Sequence, residues 1–379
     1  MDKPTGLSVT PSPAMPDSRG DPLDRDRITK AKVSYNARNI PLDIARFLLQ
    51  GNVQPKAGDL VLARILSIGQ HQRLELPSGR RAGLHVGDEV IVCYGARYAP
   101  DQFEAYVPDS LEACHLVAAG GIAAKSISRH RRVKAATAIM PVGLLADGRG
   151  KPINLKDWPV VKPVSCKPKR PFTVAVVGSS MNAGKTTTAA GVIHALKQRG
   201  LSVGATKVTG TGAGGDRWKM IDAGADQVLD FTDAGLASTF GVNKRVLAST
   251  FRCLIDNLAL ARSDVIVVEV ADGLFQKETD ALLSSGIFKA SVDTLIFAAR
   301  ESLAAKAGVD SLRRRGFPIS AVSGAINASP LARREAETVI DLPLLMPEEA
   351  GDLLYEQFQM TRASRQSDAT VNVLSCAQR

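Results

Sequence analysis

Residues 173–200 read TVAVVGSSMNAGKTTTAAGVIHALKQRG. The types and order here can do phosphate chemistry. A loop bounded by Gly178 and Gly184 leaves its backbone N–H groups free to converge on oxygens, and Lys185, Thr186 and Thr187 open a helix whose N-terminus adds a favourable dipole. Lys185 would supply the cation for β- and γ-phosphates, and the Thr186 hydroxyl would ligate Mg²⁺. Gly178, Ser179, Asn182, Ala183, Gly184, Lys185, Thr186 and Thr187 are therefore the expected phosphate-binding residues. Five residues, 179–183, separate the two glycines, where the usual spacing is four. The alternative is a glycine turn with a surface lysine.

Further polar residues fall where later strands end. Lys207 closes the strand read at 201–207, and Asp216 follows the glycine-rich stretch 210–215. Glu269 ends the apolar run VIVVEV and is followed by Asp272, and Asn327 ends the strand read at 319–326. A carboxylate inside an apolar strand is costly unless paired or bound to metal, so Glu269 is an expected Mg²⁺ ligand with Thr186, and Asp216, just after the glycine-rich stretch, is a second candidate. Lys185 and Lys207 are the expected catalytic cations and Asp272 the proton acceptor. Asn327 is the residue placed to read a purine edge. Asp272-Gly273 reads equally as a turn, Asp216 as a helix cap, and Asn327 as a turn residue.

The elements that must hold these residues alternate. From residue 171, near-continuous apolar strands at 173–177, 201–207, 265–270, 294–298 and 319–326 are separated by helical patterns, with a short strand near 339 and a last helix at 347–358. That is an α/β domain with a parallel sheet covered on both faces, and ligands sit at its carboxyl edge. Before it, residues 31–160 carry short alternating segments broken by Gly, Pro and Asp, the texture of a small β-rich, barrel-like domain. Residues 41–50 read as a short amphipathic helix. Residues 1–30 are expected to be disordered, 161–170 to be a linker, 171–360 the phosphate-loop domain and 361–379 a flexible tail.

Of the 379 residues, 45% are hydrophobic and 23% charged, the proportions of a globular chain. No apolar run approaches the roughly 20 residues that span a bilayer. The polar, acidic start reads as neither signal nor transit peptide, so a cytoplasmic location is expected. The five cysteines form no Cys-x-x-Cys pair, so no zinc site is expected. Residues 1–170 hold 26 Lys and Arg against 16 Asp and Glu, and the remainder holds 22 of each, so the whole net charge of +10 lies before the phosphate loop. The sharpest basic cluster is 125–134. An anionic partner of the N-terminal domain (nucleic acid, a phosphorylated metabolite or an acidic protein) fits that charge. A solvated basic face fits it equally, and the scarcity of aromatics disfavours base stacking.

GSSMNAGKTT, ATKVTGTG with Lys207, VVEVADG and GAINAS with Asn327 together resemble dethiobiotin synthetase, of the P-loop class that includes MinD-like ATPases and signal-recognition GTPases. The resemblance implies that Lys185 and Lys207 handle phosphate and carbamate, that Glu269 and Asp216 bind Mg²⁺, and that Asn327 reads adenine. VEVADG departs from that family's glycine-rich VEGAGG, so the acceptor pocket differs. GDRWKMIDAGADQVL, through Asp216, Arg217, Trp218, Ala223, Gly224 and Ala225, resembles the molybdopterin-guanine dinucleotide accessory protein B, which binds GTP. The P-loop domain of the domain of unknown function 1611 proteins is a third neighbour. These resemblances cover about half of the chain. The expected activity is Mg²⁺-dependent use of ATP (or GTP), by hydrolysis or by phosphoryl activation of a small-molecule acceptor. The alternatives are a GTP-binding accessory protein, a nucleotide-switched protein that forms a homodimer over its nucleotide, and a nucleic-acid-associated ATPase.

Overall fold

The structure, a computed structural model, describes residues 20–166 and 168–377, with side chains to Arg365. Its N-terminal part is built on five strands: β1 (Leu60–Ser67), β2 (Glu89–Tyr94), β3 (Cys114–Ala118), β4 (Ile122–Arg129) and β5 (Thr137–Ala146). β5 pairs with β1, β1 with β2, β4 with β3 and β3 with β5, all antiparallel. A parallel β2–β4 pairing completes the ring and closes a barrel. Closure leaves no edge among the five strands. Alternation then divides each strand. Val61, Ala63, Ile65, Val90, Val92 and Leu116 form one cluster, and Leu60, Leu62, Ile91, Cys93 and Ile122 join a second with Leu23, Ala37, Ile40 and Ala45 from the preceding segment. Both faces are buried, which is why the strands read as apolar runs with only partial alternation.

That preceding segment corrects two expectations. Residues 1–19 lie outside the described residues, but 21–30 are ordered. Asp21–Pro22 pairs with Phe47–Leu49, and the helix Arg25–Lys30 is capped by Asp24 and tied to the barrel by the Arg27–Glu89 ion pair. Residues 41–50 form one 3₁₀ turn (Leu42–Ile44) and the strand Phe47–Leu49, not a helix. Leu144–Ala146, the end of β5 that runs past its pairing with β3, offers that strand a ladder, which outweighs the local helical spacing.

The C-terminal part is a six-stranded sheet of β6 (Phe172–Gly178), β7 (Val203–Lys207), β8 (Gln227–Asp230), β9 (Val265–Glu269), β10 (Thr294–Ala298) and β11 (Ile319–Ser323), in the order β8-β7-β9-β6-β10-β11. Every neighbouring pair is parallel. One face is covered by α1 (Lys185–Gln198), α2 (Gly215–Asp222) and α5 (Pro347–Ala377), the other by α3 (Lys244–Leu260) and α4 (Ser302–Arg314). This is the α/β arrangement read from the sequence, with differences in detail. β8 has no counterpart among the strands read from the sequence. Near residue 339 there is no strand; instead Leu344 makes a lone parallel bridge to Val322. The final helix does not give way to a loose tail at 361 but runs to Ala377, after Ala350, Leu354 and Phe358 have packed on Val192, Ile193 and Leu196 of α1. Gly191 and Gly351 permit that close approach, since a Cβ at Gly351 would lie 2.5 Å from Ala195 Cβ. In the stretch 161–170, Val161 is buried in the sheet core and the Lys162 carbonyl accepts from Asn257 Nδ2. The four described cysteines, Cys93, Cys114, Cys166 and Cys253, are free. No described helix is long and apolar enough to cross a membrane.

His71, packed beside Phe103 in the barrel, is held neutral, its pKa pushed down to about 4 by burial and by the charge of Arg97. Its folded pKa lies below the unfolded value, so the unfolded chain takes up the proton first as pH falls. Stability is therefore expected to drop by about 2 kcal/mol between pH 6.5 and 4 through this residue. Urea melts across that range should show a shallower pH slope for His71→Gln than for the wild type; equal slopes would refute the assignment.

Candidate functional site

The phosphate loop leaves the carboxyl end of β6. Ser179 N–H donates to the Ala298 carbonyl at 2.9 Å, which fixes the loop against β10. Asn182 takes a left-handed φ of 62° and Gly184 one of 98°. Gly184 is required for space as well: a Cβ there would sit 2.8 Å from Ala325 N and from Gly324 Cα. Ala183 is buried, and its carbonyl accepts from Ala325 N–H at 2.9 Å. The N-terminus of α1 carries no side-chain cap, so the N–H groups of its first turn are available to an anion.

Lys185 lies over the loop, its Nζ donating to the Ser180 carbonyl at 2.8 Å. It is 6% exposed, and burial lowers its pKa, against the pull of Glu269 and Asp272. Thr186 Oγ1 lies 3.1 Å from Asp216 Oδ1 and 2.9 Å from Glu269 Oε1. Lys207, at the end of β7, is ion-paired with the second oxygen of Asp216. Burial alone would raise the pKa of Asp216, but the Lys207 charge holds it below the usual carboxylate range. Burial also opposes the charge on Lys207, yet Asp216 and Glu269 keep its pKa above the ordinary lysine value. Glu269 is 2% exposed and is pushed up to about 7 by burial and by the Asp216 charge. Its Oε2 is buried without a hydrogen-bond partner.

The structure thus brings Lys185, Thr186, Lys207, Asp216 and Glu269 into one cluster at the carboxyl edge of β6, β7 and β9. Asp272 follows β9, and its carboxyl pKa is raised by burial, with Lys185, Lys207 and Arg97 opposing. Thr187 sits exposed in the first turn of α1. Gly178 underlies Lys185: a Cβ at Gly178 would lie 2.8 Å from Lys185 Cγ. Asn327 stands apart from the carboxylates, behind the loop in the 3₁₀ turn Ala325–Ala328. Its Nδ2 donates to the Leu345 carbonyl at 2.5 Å, and its Oδ1 is buried and unpartnered.

Among the described residues no group of three or more His, Cys, Asp or Glu side chains forms a metal cage. Two carboxylates and a hydroxyl are the donor set of a hard cation that keeps waters and shares its remaining sites with phosphate. The orphaned Glu269 Oε2 fits such an ion.

The sequence reading missed the contribution of the barrel. Asp101, from the turn before Phe103–Tyr106, accepts from Asn182 Nδ2 at 2.7 Å, so a barrel residue touches the phosphate loop. Arg97 is buried, its pKa lowered to about 10 by desolvation, with Asp101 and Asp272 as opposing charges. Tyr35 OH donates to Asp230 at 3.0 Å, and Arg38 and Arg217 each donate to Asp233 at 2.6 Å. Glu75 accepts from Gly214 N–H at 2.9 Å and from Trp218 Nε1 at 2.8 Å. These partners lie from 16 to 195 residues apart, and no local pattern announces them. The basic cluster 125–134 is placed on the exposed end of β4 and the turn that follows, where Arg129 donates to the Val133 carbonyl.

No protein-family model matches the chain, and no curated protein matches it. Solved structures similar to it include the signal recognition particle receptor FtsY of Elizabethkingia anophelis, at 16% identity over 41% of this chain and 50% of that one, with a TM-score of 0.30. The 54 kDa signal recognition particle protein of Aeropyrum pernix K1, in complex with GDP, is 17% identical over 53% of this chain and 51% of that one, at 0.34. The kinase domain of the Escherichia coli tyrosine kinase ETK is 15% identical over 40% and 66%, at 0.30. The chain spans about half the length of the two signal recognition proteins. The strand–glycine loop–helix unit described above is itself the supersecondary arrangement of a P-loop.

Lys207→Met leaves Asp216 and Glu269 facing each other without their shared cation. It should cost roughly 2–4 kcal/mol of folding free energy, and adding Asp216→Asn should restore part of that. Chemical denaturation of the two single variants and the double variant measures the coupling; additive losses would show that the pair is not energetically linked.

Proposed function

We propose that the chain is a Mg²⁺-dependent ATP-using enzyme that hydrolyses ATP or activates a small-molecule acceptor by phosphoryl transfer. The observation that carries this is the Thr186 hydroxyl held within 3.1 Å of Asp216 and Glu269, beside a lysine lying over a glycine loop. Thr186, Asp216 and Glu269 are the residues that would hold the ion. A bound Mg²⁺ would neutralise charge shared by the β- and γ-phosphate oxygens. Lys185 and the open N–H groups of α1 bind the phosphate chain and stabilise the charge that develops on the transferred group. Lys207 orients Asp216 and adds a second cation to the same region. Asp272, with its raised pKa, is the carboxylate assigned to accept the proton of the attacking hydroxyl or water.

Asn327 supports ATP over GTP. One of its two amide N–H groups is committed to the Leu345 carbonyl, and its Oδ1 acceptor is the buried atom left without a partner in the protein. An acceptor matches the exocyclic amine of adenine and opposes the carbonyl of guanine at the same edge. The dethiobiotin-synthetase likeness of the loop and of the Asn327 segment agrees with this choice of nucleotide.

Titration calorimetry with Mg²⁺ should show ATP binding more tightly than GTP in the wild type. Lys185→Ala should lose about tenfold or more in ATP affinity through the missing charge-assisted hydrogen bonds. Asn327→Leu should erase the preference for ATP. No binding of either nucleotide by folded wild-type protein would sink the assignment, and tighter GTP binding would overturn the adenine reading alone.

A further inference from the structure

From β7 into the first residue of α2 the chain runs through Gly210, Thr211, Gly212, Ala213, Gly214 and Gly215. Four glycines in six residues carry a large conformational entropy that ordering must overcome. Ala237 and Thr239 bond Gly212 and Gly210 from within the same domain, and two residues of the N-terminal domain hold the stretch from the other side. Asn36 Nδ2 donates to the Gly212 carbonyl at 2.9 Å and to the Gly120 carbonyl at 2.7 Å. Glu75 comes from a two-stranded hairpin, Arg73–Glu75 with Arg81–Gly83, and receives Gly214 N–H on one oxygen and the Trp218 indole on the other.

Glu75 is 1% exposed and has no cation among its hydrogen-bond partners. A carboxylate is costly to bury in that way, and its two oxygens match two N–H donors that no apolar side chain could satisfy. The contact is close-packed. Gly214 has an ordinary helical φ of −78°, so its backbone does not demand glycine, yet a Cβ there would lie 2.4 Å from both Glu75 Oε1 and Trp218 Nε1. A Cβ at Gly79, the turn of the same hairpin, would lie 2.8 Å from the Trp218 ring.

Asp216 sits two residues beyond Gly214 and two before Trp218, between the two points that Glu75 grips. We propose that Glu75 is a positioning residue for the metal site: by clamping Gly214 and Trp218 it fixes the first turn of α2 and thereby holds Asp216 beside Thr186 and Lys207. The barrel is then the part of the chain that decides whether the Mg²⁺-side carboxylate is in place. This rests on the nucleotide reading above. Glu75 touches neither phosphate nor metal, so its effect falls on Mg²⁺ and not on the nucleotide.

The test uses the full chain in a Trp158→Phe background, which leaves Trp218 as the sole indole. Glu75→Gln keeps one acceptor but turns an amide donor toward one of the two N–H groups. Gly214→Ala disrupts the same contact from the other side and serves if the first variant does not fold. Trp218 emission is followed during Mg²⁺ titration at saturating ATP, and ATP affinity is measured separately in EDTA. For either variant the half-saturating Mg²⁺ concentration should rise about fivefold or more, while ATP affinity without Mg²⁺ stays within about twofold. Hydrogen exchange at residues 212–218 should quicken in parallel. A wild type that binds ATP, with both variants keeping its Mg²⁺ dependence, would overturn this proposal and leave the nucleotide reading intact. A wild type that binds no nucleotide would overturn both.

Discussion

The cluster at the carboxyl edge of β9 is governed by one constraint: Glu269 is a carboxylate in a place with almost no water. Its neighbours answer that constraint. Lys185 reaches back from the phosphate loop, Lys207 stands on the adjoining strand, and Thr186 donates its hydroxyl. Asp216 adds a second negative charge and is tolerated because Lys207 pairs with it. The five groups form two cations and two carboxylates around a hydroxyl, a balance that a divalent ion and a polyphosphate would shift together, since each brings the charge the other needs.

The parallel sheet alone does not complete this cluster. β7 delivers Lys207 and β9 delivers Glu269, but Asp216 arrives on a short helix after a glycine-rich stretch with little order of its own. Ala237 and Thr239 hold its first half through Gly212 and Gly210, and the N-terminal domain holds the rest through Asn36 and Glu75, while Tyr35 and Arg38 fasten that domain to Asp230 and Asp233 at the end of β8 and just after it. Asp101 extends the same contact to Asn182 in the phosphate loop. The N-terminal domain is thus a structural wall of the site, and its fit depends on glycines that let two backbones meet. Gly120 against Gly212 is one such place, where a Cβ would come within 2.2 Å of the Gly212 carbonyl oxygen.

Most of what the sequence made legible was local. The phosphate loop could be read because strand, loop and helix are contiguous and each has its own signature, a β-branched run, two glycines and Lys-Thr-Thr. Lys207 and Glu269 could be placed together because polar residues at the ends of apolar strands in a parallel sheet share one edge by construction, whereas Asn327 lies in a 3₁₀ turn past the end of β11. Three readings failed where a distant partner decided the outcome. The segment 41–50 has helical spacing but pairs as a strand with β5. Residues 21–30 look too polar to fold but are pinned by Arg27 to Glu89. The chain beyond 361 looks loose but continues a helix whose earlier turns lie on α1.

By itself, then, the sequence determined the α/β class of the second half, the phosphate loop and the set of charged groups at the strand ends, because these follow from backbone periodicity and from the cost of burying a charge. Only the tertiary structure decided that five β-strands close into a barrel through the β2–β4 pairing, that this barrel docks on residues 212–218, and that Glu75 faces Gly214 and Trp218. The reason is physical. Such contacts join residues far apart in the chain by shape and by hydrogen bonds between groups that are common everywhere in it, and neither leaves a period or a motif in the order of the amino acids.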